Sequence, residues 1–308
     1  MPHGWIILDK PLGLGSTQAV AAVKRNLRQA GYGKAKVGHG GTLDPLASGV
    51  LPIALGEATK LCGRMLDASK TYVFTVSFGQ ETDTIDLEGK VVAQSAARPT
   101  LTAVEAILPQ FTGKIEQMPP AYSALKVDGE RAYDLARKGE AVELKSRSVI
   151  IHELRANHWD YPNGDAPVQE LTLTAHVSKG TYIRSLARDI AHTLGTCGHV
   201  TYLRRINAGP FGLGRAISLD KLNEIGKGAP LENILLPLEA GLVDIPALNL
   251  GPEQASMVRQ GRVLTGLPHM DGLRWACEHG KWIPLALVEL SGGNARVVRG
   301  FNLPDVAE

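Results

Sequence analysis

The sequence has few cysteines and no long hydrophobic run, and each absence excludes a class of protein. Its 308 residues include three cysteines, Cys62, Cys197 and Cys277, which lie far apart and form no CxxC pair. This spacing excludes a sequence-evident zinc knuckle, argues against a disulfide framework and fits the reducing cytoplasm. No stretch of about 18 apolar residues is present, so no membrane-spanning helix is predicted. The N-terminal segment has four apolar residues followed by charges, and we therefore expect no signal peptide.

An excess of charge of either sign is also lacking. Lys and Arg number 33 and Asp and Glu 31, and the net charge of +2 taken alone argues against a nucleic-acid binder wrapped in positive charge. The distribution is uneven, however, because residues 1–60 and residues 179–205 each carry a net charge of +4, whereas residues 81–89 carry −4. Phosphate contacts depend on local charge, so the small total predicts only that non-specific binding to nucleic acid is modest.

The composition is that of an ordinary globular protein. Hydrophobic residues make up 44% and charged residues 21% of the chain, which is enough to bury a full core. At roughly 150 residues per domain, the length fits two domains. Near the C-terminus, the segments WIPLALVEL and ARVVRGFNL indicate short strands punctuated by glycines. We therefore predict a large domain over residues 1–245 and a small β-rich domain over residues 246–308.

Hydrophobic periodicity and turn residues predict a mixture of strands and helices. The predicted strands of the large domain are residues 5–8, 50–55, 70–78, 149–158, 170–177 and 199–209. Residues 149–158 and 170–177 are expected to form a β-hairpin around the turn-rich sequence DYPNGDAP. The predicted helices are one that has Ser16 as its N-cap and stops at Gly31, and two that cover residues 101–109 and 185–194. We expect the residues from Lys179 up to the last of these helices to be extended, and the acidic residues 81–89 to form a solvated connection between strands.

The glycine-rich segment GHGGTLDPLASG contains the first candidates for chemistry. Its glycines leave room for a ligand to approach the backbone, and they surround His39 and Asp44, which lie five residues apart. The motifs GxxxxGK[ST] and GxGxxG are absent, so the loop gives little support to a phosphate or nucleotide site. One His and one Asp are too few for a metal site. A turn role for Asp44 and a hydrogen-bonded loop role for His39 remain open as purely structural interpretations.

The segment SKGTYIRSLARD contains the second pair of candidates. Tyr182 and Arg184 are two residues apart and share a face if this stretch is extended. A guanidinium beside a buried carboxylate favours the ionised carboxylate, so Arg184 is a candidate partner for Asp44. A core position for Tyr182 and a surface position for Arg184 remain open. Three further residues have purely structural interpretations when considered alone. Tyr72 and Leu203 are expected in the core, and Lys60 is expected on a solvated helix.

Six sequence blocks occur in an order and spacing that resemble one known family. They are GWIILDKPLGLGS, VGHGGTLDPLASGVLPIALGEATKL, KTYVFTVSFGQETDTIDLEG, QMPPAYSALKVDGERAYDLARKGE, SKGTYIRSLARDI and HVTYLRR. Over nearly its whole length, the sequence resembles the bacterial TruB family of tRNA pseudouridine-55 synthases. The resemblance implies an α+β pseudouridine synthase fold, with a large mixed, mainly antiparallel sheet flanked by helices and a small β-rich PUA-like C-terminal domain. It also implies that an insertion at about residues 118–150 grips RNA.

The resemblance implies an isomerase, an intramolecular transferase, that acts on the T-loop uridine of tRNA (uridine 55). The uridine is flipped out of its stack, its glycosidic bond is cleaved, and the uracil is rejoined through C5. The implied catalytic residues are Asp44 as the carboxylate, Arg184 as its partner, and Tyr72. The implied substrate-binding residues are His39, Tyr72, Tyr182, Leu203 and Lys60, and the implied structural supports are Lys10 and Pro11. No metal, organic cofactor, membrane or protein partner is implied, and we expect a cytoplasmic monomer.

Three other functions share parts of this pattern. A guide-RNA-dependent pseudouridine synthase shares the GTLDP motif, but the insertion and the short C-terminal block argue against it. A non-catalytic RNA-binding or tRNA-folding protein can use the same scaffold. Loss of catalysis is not indicated, however, because the implied site residues are all present: Asp44, Tyr72, Tyr182 and Arg184. A nucleotide-binding metabolic enzyme lacks support because the phosphate motifs are absent. An isomerase acting on tRNA is therefore the leading prediction.

Overall fold

The computed structural model of the protein describes residues 2–123, 126–127, 130–131, 144–157, 166–268 and 270–303. Within these residues the α-helices are α1 (Ser16–Gln29), α2 (Cys62–Asp67), α3 (Leu101–Ile107), α4 (Ile183–Thr193), α5 (Leu219–Gly226) and α6 (Pro252–Arg259). The strands are β1 (Gly4–Lys10), β2 (Val37–His39), β3 (Ala47–Leu55), β4 (Lys70–Phe78), β5 (Gln80–Thr82), β6 (Val91–Gln94), β7 (Gly113–Gln117), β8 (Lys126–Val127), β9 (Glu130–Arg131), β10 (Arg147–Ala156), β11 (Glu170–Val177), β12 (Gly198–Ala208), β13 (Phe211–Gly212), β14 (Ala247–Leu250), β15 (Gly272–Glu278), β16 (Pro284–Ser291) and β17 (Asn294–Gly300). No helix in this described part of the chain is both long and apolar enough to cross a membrane.

The chain divides into two compact units, each built from segments that are distant in sequence. The first unit consists of Met1–Leu43, Val50–Leu66 and Pro210–Glu308, and the second of Asp44–Gly49 and Asp67–Gly209. About half of the predicted insertion at residues 118–150, namely residues 124–125, 128–129 and 132–143, lies outside the described residues. The predicted domain boundary near residue 245 stays a prediction.

The second unit is built on a mixed sheet. Its antiparallel strands follow the order β12–β4–β11–β10–β7, and residues 47–49 of β3 run parallel to residues 203–205 of β12. The strand β4 has the bounds that its alternating sequence predicts, and it pairs with β11 along its length. The strands β10 and β11 pair antiparallel, which confirms the predicted hairpin. The sheet of this unit is therefore mixed and mainly antiparallel.

The helices α3 and α4 pack against one face of this sheet. The buried cluster there includes Phe74 from β4, Leu173 from β11, and Leu186 and Ile190 from α4. Leu186 and Ile190 lie four residues apart and therefore share one face of α4. Burial of such side chains contributes roughly 1.5–3 kcal/mol each, which holds the helix on the sheet. This packing positions the first turn of α4, where Arg184 lies.

The first unit contains a β-rich block with a core of its own. The strands β14–β15–β16–β17 form a four-stranded sheet, in which β14 runs parallel to β15 and the other pairs are antiparallel. Leu248, Val258 and Val288 belong to one buried cluster that joins β14, α6 and β16. The short strands predicted near the C-terminus are therefore confirmed. Elsewhere in this unit, β2 pairs antiparallel with residues 53–55 of β3.

The predicted start of α1 is wrong by one residue. Gly15, rather than Ser16, is the N-cap, and its N–H donates to Gln18 Oε1 at 2.7 Å. The Ser16 hydroxyl is engaged elsewhere, because it donates to the Leu43 carbonyl at 2.9 Å and accepts from the Leu43 N–H at 2.8 Å. These two bonds tie the start of the helix to the glycine-rich segment.

The predicted extended segment before α4 is also wrong. Residues 179–180 form a turn, and α4 begins at Ile183, two residues earlier than predicted. Tyr182 is the N-cap of this helix and Arg184 is its second residue. The two side chains therefore do not share one face of a strand, because Tyr182 precedes the helix and Arg184 lies in its first turn.

Candidate active site

Asp44 lies in the loop between β2 and β3, shortly before a glycine of β3 that permits two backbones to approach closely. The loop runs from the end of β2 at His39 to the start of β3 at Ala47. Ala47 donates its N–H to the Asp44 carbonyl at 3.0 Å, which forms a turn. Gly49 has a φ of +102°, and a Cβ there would lie 2.1 Å from the Arg205 carbonyl oxygen. Glycine at this position allows β3 to pair with β12 shortly after Asp44.

Arg184 is the buried cation that holds Asp44. Its side chain is 8% exposed, and Nη2 donates to Asp44 Oδ2 at 2.9 Å. The same nitrogen donates to the Tyr122 carbonyl at 2.9 Å, and Nη1 donates to the Thr84 carbonyl at 2.8 Å. A buried charge is tolerated when its donors are paired, and a planar guanidinium can serve several acceptors at once. The structure thus brings together the two residues that sequence analysis identifies as candidate partners.

Asp44 and Arg184 line a small open cleft. The Asp44 side chain is 45% exposed, so Arg184 fixes one oxygen while the carboxylate stays accessible from the cleft. Leu46, Val200 and Leu203 add apolar surface to the same cleft. An accessible carboxylate beside apolar walls suits a ligand that has both polar and apolar parts.

A second carboxylate, Asp86, lines this cleft and is not among the candidates from sequence analysis. Asp86 is 8% exposed, and its Oδ2 lies 3.6 Å from Arg184 Nη1. Its Oδ1 accepts from the Thr84 hydroxyl and from the Glu88 N–H. The interpretation of residues 81–89 as a solvated connection is therefore wrong for Asp86. The signal in the sequence is the alternation of Thr and Asp in TDTID, because hydroxyls bond neighbouring carboxylates in turns.

Both predicted substrate-binding tyrosines are partly buried in the second unit. Gln117 fixes the backbone of Tyr182, since its Oε1 accepts from the Tyr182 N–H at 2.8 Å and its Nε2 donates to the Tyr182 carbonyl at 3.1 Å. Burial raises the pKa of the Tyr182 phenol. Tyr72 lies on β4 opposite Arg205 of β12. Because Leu203 precedes Arg205 by two residues, Tyr72 is a diagonal neighbour of this cleft residue.

His39 and Lys60 belong to the first unit, where both make local hydrogen bonds. His39 lies at the end of β2, and its Nδ1 accepts from the Gly41 N–H at 3.3 Å. Lys60 donates to Glu57 Oε2 at 2.6 Å and to the Gly300 carbonyl at 2.8 Å. The second bond links Lys60 to the end of β17 within this unit.

Lys10 and Pro11 also belong to the first unit, at the end of β1. Lys10 is fully buried and donates through Nζ to the Leu14 carbonyl at 2.6 Å and to the Pro11 carbonyl at 3.0 Å. Pro11 is exposed. The Lys10 side chain thus closes the segment that leads from β1 to α1, as a structural support does.

Two family models match this chain. The description of the first is TruB family pseudouridylate synthase (N terminal domain), and it covers residues 28–183. The second is the tRNA pseudouridylate synthase B C-terminal domain, and it covers residues 184–243. The chain belongs to the TruB family of pseudouridylate synthases. The resemblance and the isomerase activity that sequence analysis predicts are thereby confirmed.

Individual relatives of this TruB family chain agree with the family models. It is 71% identical to tRNA pseudouridine synthase B of Novosphingobium aromaticivorans over the full length of both chains. It is 57% identical to the protein of the same name from Zymomonas mobilis, with 97% of this chain and 96% of the relative covered. The family assignment therefore extends over the whole chain.

Solved structures show that the fold of this TruB family chain is shared. An H/ACA RNP bound to a substrate RNA containing 2′-deoxyuridine gives a TM-score of 0.72 at 24% identity, covering 98% of this chain and 86% of that chain. A Cbf5-Nop10-Gar1 complex gives the same TM-score and identity, with 97% and 85% covered. Together with the family models, these matches confirm the predicted α+β pseudouridine synthase fold.

Proposed function

We propose that this chain converts the T-loop uridine of tRNA (uridine 55) to pseudouridine, with Asp44 as the catalytic carboxylate. The substrate is supported by relatives 71% and 57% identical, both named tRNA pseudouridine synthase B, whose matches cover at least 96% of each chain. The observation that carries the chemistry is the 2.9 Å ion pair between Asp44 and Arg184 in an open cleft. It combines a carboxylate fixed by Arg184 with access to that carboxylate from the cleft.

The proposed reaction rearranges the uridine without adding or removing atoms overall. The uridine first leaves its stack, because its reacting atoms are inaccessible inside a folded loop. The bond between N1 and C1′ breaks, the uracil turns, and a bond between C5 and C1′ forms. C5 then loses its proton and N1 gains one. Asp44 serves as nucleophile or as proton acceptor, and either role requires the fixed, accessible carboxylate that Arg184 provides.

The other site residues are assigned to substrate binding. Tyr72 contacts the flipped uracil, and Tyr182 and Leu203 close the pocket around it. The position of Leu203 on the cleft and of Tyr72 diagonally beside it supports these two roles. His39 takes the space that the uridine leaves in the RNA loop. Lys60 contacts the RNA backbone, for which it exchanges one of its present hydrogen bonds.

The proposal extends to the rest of the chain. Lys10 and Pro11 support the site structurally, consistent with the buried Lys10 ammonium that closes the segment after β1. Residues 246–308 contact the tRNA as a PUA-like domain, consistent with their separate β-rich core. The chain acts as a cytoplasmic monomer without metal or organic cofactor. The isomerisation involves no net oxidation and no group acceptor, so it needs no redox or group-carrying cofactor.

Release of tritium from a tRNA transcript labelled at C5 of uridine tests this function. The wild-type chain is expected to release tritium, and Asp44→Asn is expected to abolish release while tRNA affinity changes only a few-fold. Asparagine has the size of aspartate but can neither act as the nucleophile nor accept the proton. A transcript with cytidine in place of uridine 55 serves as the control and should yield no product. Normal turnover by Asp44→Asn, or product at a different uridine, would contradict the proposal.

A further inference from the structure

Residues 83–89, directly after β5, form a turn whose conformation is fixed at several points. Ile85 has a φ of +61°, a region that β-branched residues rarely adopt. The Ile85 side chain is 4% exposed, and its carbonyl accepts from the Val200 N–H at 3.0 Å. The Thr82 hydroxyl donates to the Asp86 carbonyl at 2.6 Å. A strained residue persists only where its surroundings determine its conformation, so these contacts hold the turn in place.

This turn presents Leu87, a large apolar side chain, to solvent inside the cleft. Leu87 is 59% exposed and lines the same cleft as Asp44. Tyr202, which is 41% exposed, lines it as well. A single exposed leucine on a protein surface needs no explanation. Two exposed apolar side chains in one cleft, one of them on a strained turn, form the kind of arrangement that clamps ligands.

We propose that Leu87 packs against the base of a nucleotide that flanks the reacting uridine. The inference rests on the proposed function, because that function brings an RNA loop into the cleft. Asp44, Asp86 and Arg184 supply the polar part of the cleft, and Leu87 supplies an apolar surface beside it. Every base has an apolar face, whatever its identity. One apolar side chain on a fixed turn can therefore pack against any neighbouring nucleotide. Leu87 is thus a substrate-binding residue that contributes to the affinity for RNA.

Measuring KM and kcat of Leu87 variants separately distinguishes a role of Leu87 in RNA binding from a purely structural role. Leu87→Ser is expected to raise KM for the tRNA transcript about five- to tenfold and to change kcat less than about twofold, since the lost contact is apolar and remote from the reacting atoms. Val92→Ser is the matched control, because Val92 is 61% exposed on β6 and is not among the residues that line the cleft. Leu87→Met keeps the apolar surface and should restore the wild-type KM.

A binding measurement gives a second readout that does not depend on turnover. In the Asp44→Asn background, Leu87→Trp should lose fluorescence when tRNA binds, because a base stacks on the introduced indole, and Val92→Trp should not. An unchanged KM for Leu87→Ser, a loss of kcat alone, or equal fluorescence responses of the two tryptophan variants overturns the inference. Lack of tritium release by the wild-type chain rejects the proposed function and the inference together, whereas wild-type turnover with an unaffected Leu87→Ser rejects the inference only.

Discussion

At the scale of single residues, Arg184 makes four contacts with one planar group. Its partners are the carboxylates of Asp44 and Asp86 and the carbonyls of Thr84 and Tyr122. A lysine retains the charge but presents a compact ammonium that cannot serve these acceptors together. We therefore expect Arg184→Lys to lower kcat about tenfold or more, because Asp44 loses its fixed orientation. The variant should also lower the free energy of unfolding by about 1–3 kcal/mol, because buried carbonyls lose their donors.

Tritium release and urea unfolding measure the two effects of Arg184→Lys. Arg188→Lys is the control, because Arg188 lies one turn further along α4, where it donates to the Met118 carbonyl and pairs with Asp189. Equal losses of kcat in the two variants would show that the guanidinium of Arg184 has no special role at Asp44.

Asp86 allows the effect of charge to be separated from that of shape. Asn at this position retains an acceptor oxygen for the Thr84 hydroxyl and the Glu88 N–H, but it removes the charge 3.6 Å from Arg184. We expect Asp86→Asn to lower kcat about tenfold with little change in KM, because the guanidinium is no longer held between two carboxylates. Asp83→Asn in the same acidic segment is the control for tritium release. Identical kinetics of the two variants would remove Asp86 from the site.

At the scale of elements, the pairing of β3 with β12 depends on Gly49. A Cβ at Gly49 would lie 2.1 Å from the Arg205 carbonyl oxygen, at a φ of +102°. We expect Gly49→Ala to lower the free energy of unfolding by about 2–4 kcal/mol, since the backbone strain and the steric clash add. Gly180 has a φ of +78° but no atom within 4 Å of its Cβ position. Gly180→Ala should therefore cost only about 1 kcal/mol in urea unfolding, and equal costs would argue against the clash.

Elements and residues specified by nearby sequence could be predicted, and those specified by distant contacts could not. The strand β4 was predictable because apolar and polar residues alternate within one segment, and its buried and partly buried residues alternate from Phe74 to Phe78. The N-cap position of Tyr182 was not, because its backbone is fixed by Gln117, which lies 65 residues away in the chain. Within the site, Asp44 stands out by its glycine-rich loop, whereas the burial of Asp86 depends on Arg184, far along the sequence. Local propensity carries no signal for such contacts.

For the whole molecule, Lys70 makes the free energy of unfolding change with pH in the alkaline range. Burial, together with the charge of Arg205, lowers the pKa of Lys70 from 10.5 to about 8. Between these two pH values the unfolded chain binds more protons at this residue than the folded chain does. The contribution of Lys70 to the free energy of unfolding therefore rises with pH across this window.

Lys70→Met removes this contribution, and urea unfolding at several pH values measures it. The free energy of unfolding of the wild-type chain, relative to Lys70→Met, should increase from about pH 8 to pH 10.5. Lys114→Met, at an exposed position of β7, is the control for the loss of a lysine. If the free energies of unfolding of wild type and Lys70→Met differ by the same amount across this range, burial does not lower the pKa of Lys70.

The net charge of the cleft favours the uncharged part of a nucleotide over its phosphate. Asp44, Asp86 and Arg184 are the charged side chains that line it, and two carboxylates with one guanidinium leave one net negative charge. A phosphate is repelled by that field, whereas a base and its ribose are neutral. In the proposed function, the cleft would therefore admit the uncharged nucleoside and keep the flanking phosphates at its rim, so that within one polyanion it would select the part that carries no charge.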